Sequence, residues 1–222
     1  NELVNKDEKL KSKYSQSEII DAIKLSSGML LGVVNNILDY TKIEKGKYAL
    51  AKLPFNPKHI LTEVLSGLQV YSKSKNLELI CFFDNSTDCL VLGDGFQLRQ
   101  ILINLVGNAI KYTEKGKVQI DAVVKKINEQ QIELHLDVTD NGIGMKSTDL
   151  DNIFKEFNQQ NHTKEVAEGS AGLGLNIVKK IIELNKGEIK VKSVLAKGSS
   201  FQVRIPYKSY TEPINNAKEL NN

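Results

Sequence analysis

Cysteine, tryptophan and long apolar runs are scarce or missing in this chain. It has two cysteines, Cys81 and Cys89, and no tryptophan. Two thiols are too few for a disulfide framework, and no set of Cys and His has zinc-ligand spacing. Cys81 falls in an apolar, strand-like run and reads as a small buried hydrophobe. No apolar stretch reaches the roughly 20 residues needed to cross a bilayer, and no secretory leader opens the chain. Blocks of like charge are also missing. The 30 Lys and Arg against 27 Asp and Glu leave a net charge of +3, so neither nucleic acid nor an anionic membrane is an expected partner. A reducing, cytoplasmic setting fits these absences, and a membrane anchor elsewhere in a longer parent is compatible with them. The chain begins at Asn1 rather than methionine, as an excised piece would.

What is present is enough apolar content, 41% of 222 residues, for a buried core. Residues 15–44 read as one long helix with a seam of Ile20, Ile23, Leu30, Val34 and Ile37. Ile19, Leu31 and Leu38 widen the stripe towards a bundle. Packing on its own domain or on a partner would satisfy that pattern equally. The helix precedes a separate globular pattern, which favours a homodimer through residues 17–44. Gly46 suits a left-handed cap at its end.

From Tyr48 the pattern changes. Residues 48–55 predict a strand, 58–72 a helix and 77–83 a second strand. Asp94 is the expected N-cap of a helix running to Tyr112, with Phe96, Leu98, Ile101, Leu102, Leu105, Val106 and Ala109 inward. Val118, Ile120, Ala122 and Val124 alternate, as do Ile132, Leu134, Leu136 and Val138, which predicts a hairpin of half-buried strands. Residues 149–157 predict a short helix, 158–170 an irregular loop and 172–185 a helix. A final hairpin is expected around Lys197-Gly198, and the tail from 208 reads as linker. Strands separated by both helices and hairpins argue for an α/β (α+β) fold, a two-layer sandwich with a mixed sheet and helices on one face.

Three segments carry chemistry together. Asn104, Asn108 and Lys111 share one side of a helix and offer two amides and an ammonium. Amide oxygens are hard ligands suited to magnesium, which keeps several waters and takes its other ligands from phosphates. Asp140 ends a strand and is followed by Gly142 and Gly144, which allow positive φ and close approach to the backbone. Its carboxylate could accept the amino group of adenine. Gly172 and Gly174 precede a helix whose first amides can face phosphate oxygens. Each segment alone is an ordinary turn or helix feature, but the three in this order suit a purine nucleotide with magnesium.

Residues 99–113, Arg-Gln-Ile-Leu-Ile-Asn-Leu-Val-Gly-Asn-Ala-Ile-Lys-Tyr-Thr, resemble the N box of sensor histidine kinases. Asp140-Asn-Gly-Ile-Gly-Met resembles their first glycine box, Ile153-Phe-Lys-Glu-Phe157 their F box and Gly172-Leu-Gly-Leu175 their second glycine box. Lys197-Gly-Ser-Ser-Phe201 resembles the last glycine-containing box, and residues 36–46 the end of the second dimerisation helix, most as worded in hybrid kinases. The resemblance implies a Bergerat-type ATP-binding domain over residues 47–207, preceded by a partial dimerisation and phosphotransfer element over 1–46. It implies Asn108 as the magnesium ligand and Asn104 and Lys111 as catalytic groups near the phosphates. Tyr112 would pack by adenine, Asp140 would bind its amino group, and Ser200 would support Asp140. Gly142, Gly144, Gly172, Leu173, Gly174 and Leu175 would line the nucleotide. Residues 158–171 would form the lid, with Phe154 and Phe157 at its base. The cofactors implied are ATP and Mg2+. The partners implied are a phosphoacceptor-histidine helix and a response-regulator receiver domain.

The chain departs from that pattern in one large respect. It has no His-Glu-x-x-Thr-Pro segment to accept the phosphoryl group. His59 opens a helix, His135 alternates with strand residues and faces solvent, and His162 lies in the expected lid. Asn104 stands where the wider ATPase superfamily has a glutamate that activates water, and an amide is a poor general base. Ser170 and Ala171 replace a commoner Gly-Thr pair. Three readings remain: the donor half of a kinase whose histidine lies outside the chain, a nucleotide-holding regulatory module, or a hydrolytic ATPase of the same superfamily. Asn104 weighs against the last.

Overall fold

The computed structural model describes residues 51–155 and 174–211. The expected helix 15–44, residues 48–50 of the first strand, the lid 158–171 and the end of the tail lie outside the described residues. The first elements are β1 (Leu53–Phe55) and α1 (Pro57–Ser74). Asn56 caps α1, its side chain accepting from the His59 N–H at 3.2 Å. Pro57 occupies the first turn, where a missing N–H costs nothing. There follow β2 (Glu78–Phe83), a 3-10 turn (Asn85–Thr87), β3 (Val91–Gly93) and α2 (Gly95–Tyr112). Asp94 caps α2 as expected, its Oδ1 accepting from Phe96 N–H at 3.1 Å and Gln97 N–H at 3.4 Å.

The strands β4 (Lys117–Lys126) and β5 (Gln131–Asp140) form the expected hairpin. Then come α3 (Ser147–Leu150), α4 (Gly174–Leu184), β6 (Glu188–Val194) and β7 (Gly198–Ser209). Among the described residues seven strands form one sheet in the order β1-β3-β7-β5-β4-β2, with β6 also on β7. The β2–β4 pair is parallel and the others are antiparallel, so the sheet is mixed. The long β7 makes this possible. One edge pairs with β5, while the other serves β6 at its start and β3 at its end.

The core lies between one sheet face and the helices. Ile120, Leu134 and Leu136 from the sheet meet Leu98, Ile101, Leu102 and Leu105 of α2 and Ile177, Ile181 and Ile182 of α4, all fully buried. The opposite sheet face carries Asp121, Glu133, His135 and Asp137. The period-two alternation of β4 and β5 is the cause.

Four local expectations are corrected. Phe96 is 55% exposed, because the wheel position one residue after the helix start turns it away from the sheet. Cys81 is exposed, because β2 lies at an edge of the sheet. The short helix after the hairpin is Ser147–Leu150 and gives way to turns over residues 151–154. The last strand runs on to Ser209, and the Tyr210 N–H donates to Leu90 O at 3.0 Å, so the first residues after 207 are held by β3 and its approach. Deleting buried and exposed apolar groups on the same helix should separate these positions. Leu98→Ala should lower the unfolding free energy by about 3 kcal/mol, and Phe96→Ala by less than about 0.5 kcal/mol, measured by urea denaturation.

Candidate functional site

Asp140 ends β5 on its buried side. It continues the inward row of Ile132, Leu134, Leu136 and Val138 and is 8% exposed. Strand periodicity thus delivers a carboxylate into the helical layer. Its Oδ1 accepts from the Gly142 N–H at 2.9 Å and the Ser199 N–H at 3.3 Å. Both bonds fall on one oxygen and leave Oδ2 for another donor. Burial pushes the Asp140 carboxyl above the usual carboxylate range, and the two backbone N–H groups pull it back down.

The turn after Asp140 is moulded on the end of α2. The Ile143 N–H donates to Tyr112 O at 3.2 Å. A Cβ on Gly142 would stand 2.3 Å from that same carbonyl, and one on Gly144 would stand 2.0 Å from Val194 O. Of the two, Gly144 has positive φ, at +62°. The freedom of positive φ expected at both glycines is thus used at Gly144 alone, and at each of them the protein's own backbone fills the space a Cβ would need. Gly198 does the same on the other side, with φ +97° and a would-be Cβ 2.0 Å from Asp140 O.

Ser199, rather than Ser200, lies beside Asp140. The two are register partners, and Ser199 shares the inward side of β7 with Phe201, Val203 and Ile205. Ser200 pairs with Thr139 and points to the other face by the same alternation. Ser193, which the sequence reading missed, completes the corner. Its hydroxyl donates to Gly198 O at 2.9 Å, lies 3.0 Å from the Ser199 hydroxyl, and accepts the Met145 N–H at 2.8 Å. The available signal was its parity with Ile189 and Val191 on β6.

On α2, Asn104, Asn108 and Lys111 lie along one side, as their spacing requires. Asn104 Nδ2 donates to Gln100 O of its own helix at 2.9 Å, which directs the amide oxygen outwards. The first residue of α4 backs onto that oxygen: a Cβ on Gly174 would stand 2.5 Å from Asn104 Oδ1. Asn108 is half-buried and its amide is engaged by no described residue. Lys111 is half-buried, with Nζ 5.4 Å from the centre of the Tyr112 ring. Burial, and then the nearby Lys75 ammonium, holds Lys111 below the usual lysine range. Lys75 Nζ donates to Ile110 O at 3.0 Å and Lys111 O at 2.8 Å.

Two contacts thus bring the three segments together: Tyr112 with the Asp140 turn, and Asn104 with Gly174. Leu175 packs half-buried on the core, while Gly172 and Leu173 lie outside the described residues. Phe154 packs against the core, its carbonyl accepts Asn176 Nδ2 at 2.8 Å, and the Lys179 ammonium stands 5.7 Å from its ring centre. Phe157 and His162 are outside the described residues. His59 is exposed at the start of α1, and His135 touches Glu133 on the bare sheet face. Neither approaches the corner. Among the described residues no group of three or more His, Cys, Asp or Glu could hold a metal ion.

Residues 93–209 match the family described as histidine kinase-, DNA gyrase B- and HSP90-like ATPase. The chain belongs to that family. Within it, the chain is similar to the sensor histidine kinase GacS of Pseudomonas protegens, with 37% identity over 190 residues, covering 86% of this chain and 21% of the relative. It is also similar to the signal transduction histidine-protein kinase BarA of Escherichia coli, with 34% identity over 191 residues, 86% of this chain and 21% of the relative. The chain thus spans about a fifth of the length of these curated relatives. Among solved structures, full-length ShkA in complex with AMPPNP matches with TM-score 0.68 and 26% identity, over 91% of this chain and 41% of that one. The catalytic domain of the histidine kinase ThkA matches with TM-score 0.56 and 26% identity, over 72% of this chain and 98% of that one.

The raised Asp140 pKa has a consequence for stability. A carboxyl held above its unfolded value makes the charged form a cost to the fold. That cost is fully present above the folded pKa and vanishes as the pH falls below the unfolded value. Asp140→Asn should therefore raise the melting temperature at pH 7, and the gain should disappear near pH 3, measured by thermal denaturation across pH.

Proposed function

We propose that this chain is the ATP-binding catalytic part of a two-component sensor histidine kinase, and that it transfers the γ-phosphoryl group of ATP to a histidine outside the chain. One observation carries the reading. A buried carboxylate with one oxygen already fixed by backbone N–H groups stands at the end of a helix that presents two amides and an ammonium. Asp140 Oδ2 accepts the adenine amino group, and Tyr112 packs by the base. Lys111 and Asn104 meet the phosphates, and Asn108 is the magnesium ligand. The donor set fits: the Asn108 amide is engaged by no described residue, and an amide oxygen suits a hard cation. Magnesium, when bound, supplies charge neutralisation on the phosphate oxygens. The amides at the start of α4 face the same anion.

The protein's part in the transfer is positioning and electrostatic, as expected for phosphoryl transfer. The bond from the γ-phosphorus to the bridging oxygen breaks, a bond to an imidazole nitrogen forms, and ADP leaves. Asn104 is no base for water, which favours an imidazole acceptor over hydrolysis. The partners are the helix that bears the histidine and, downstream, a receiver domain that takes the phosphoryl group. The dimerising element is residues 17–44. No described helix is long and apolar enough to cross a membrane.

Calorimetry should show magnesium-dependent ATP binding by the chain. Asp140→Asn should weaken it by about 10- to 100-fold, the worth of one hydrogen bond to a charged group. Asn108→Ala should remove most of the magnesium dependence. Labelled ATP should leave no phosphohistidine on the chain alone and should label a histidine-bearing helix supplied in trans. Tight ATP binding with no transfer in trans would point to a regulatory module instead, and steady phosphate release to an ATPase.

A further inference from the structure

We propose that Lys75 is a positioning residue of the nucleotide site: its ammonium fixes the last turn of α2 and so sets where Lys111 and Tyr112 stand. The inference rests on the reading that this turn faces a nucleotide.

Lys75 is itself rigidly placed. It caps α1, and its N–H donates to Ser72 O at 3.1 Å. Asn76 then takes the left-handed conformation, at φ 55°, and the Leu77 N–H returns to Ser72 O at 2.9 Å. Leu77 is buried, so the turn is anchored in the core. From there the Lys75 side chain passes the Tyr71 ring, with Nζ 5.9 Å from its centre, and crosses to α2. It donates to Ile110 O at 3.0 Å and Lys111 O at 2.8 Å.

These are two of the four carbonyls that a helix end leaves without intrahelical partners. The other two are also met. Thr113 Oγ1 donates to Ala109 O at 2.7 Å, and the Ile143 N–H donates to Tyr112 O at 3.2 Å. Every orphan carbonyl of α2 therefore has a donor, and one of those donors is a cation from another helix. A cation at a helix C-terminus also complements the helix dipole. Lys75 thus ties together α1, the end of α2 and, through Tyr112, the turn that follows Asp140. Its charge also places a second ammonium beside Lys111, an arrangement that favours a polyanion over a neutral ligand.

The test uses the whole chain with Lys75→Met, Lys75→Arg and, as a control for net charge, Lys126→Met. Lys126 sits in an exposed pair with Glu129 far along β4. In nucleotide-free protein, amide hydrogen exchange at Ile143 should quicken by about 10-fold in Lys75→Met, with exchange in the centre of β5 unchanged. Lys75→Arg, which can donate to the same carbonyls, should retain most of the protection. Affinity for a non-hydrolysable ATP analogue with magnesium should fall by about 10-fold in Lys75→Met, recover in Lys75→Arg, and hold in Lys126→Met. Unchanged exchange at Ile143 in Lys75→Met would overturn the proposal, as would an equal loss of affinity in Lys126→Met. A wild-type chain that binds no nucleotide would overturn the functional reading, and the exchange measurement would still decide whether Lys75 holds the turn.

Discussion

Asp140 is the fifth inward position of a strand whose other four are Ile132, Leu134, Leu136 and Val138. A carboxylate at the end of an apolar row is costly unless hydrogen bonds meet its charge. Here the donors are the N–H groups of Gly142 and Ser199. To bring them in, the chain must turn sharply after Asp140 and β7 must begin in register beside it. Both demands exclude a side chain. A Cβ on Gly142 would strike Tyr112 O, and one on Gly198 would strike Asp140 O. The glycines that mark these boxes are therefore consequences of burying one carboxylate next to several backbones.

The same economy governs the end of α2. A helix that stops at a functional corner leaves carbonyls that water must otherwise solvate. In this fold they are shared among a threonine of the same chain segment, a lysine from α1 and an N–H from the Asp140 turn. The helix end becomes a junction of three elements. Lys111 and Tyr112 stand on the turn whose carbonyls these donors hold. Asn104, two turns earlier, is fixed by its own helix through Gln100 O and by the close seat of Gly174.

Much of this was legible in the sequence because it follows from periodicity. The alternation in β4 and β5, the cap at Asp94 and the amide–amide–ammonium side of α2 all depend on local spacing, which the fold preserves. Ser199 was legible too, because counting back in twos from Phe201 puts it, and not Ser200, on the inward side beside Asp140. Other features were not readable. The three residues of β3 carry too little pattern to register, yet β3 joins β1 to β7. Phe96 and Cys81 read as buried from their hydrophobicity, but one stands at an outward wheel position and the other on the sheet's edge strand. Lys75 acts through Ile110 and Lys111, 35 and 36 residues away, and Ser193 reaches Met145, 48 residues away; parity marks Ser193 as inward, but no local pattern names these distant partners.

On the proposed reading, the acceptor determines what the residue at position 104 must be. Water is a weak nucleophile and needs a base to take its proton as it attacks phosphorus. A neutral imidazole attacks through a nitrogen lone pair and needs none at that point. An amide at 104 therefore slows the loss of the γ-phosphoryl group to solvent far more than it slows transfer to histidine. It also adds no negative charge beside the phosphates, where a carboxylate would repel them unless offset by the cation. Asn104 keeps a further constraint that a carboxylate would strain. Its Nδ2 donates to Gln100 O, a bond that an ionised carboxylate has no proton to make. The amide thus serves helix and chemistry together, and it leaves ATP intact until the histidine is brought to it.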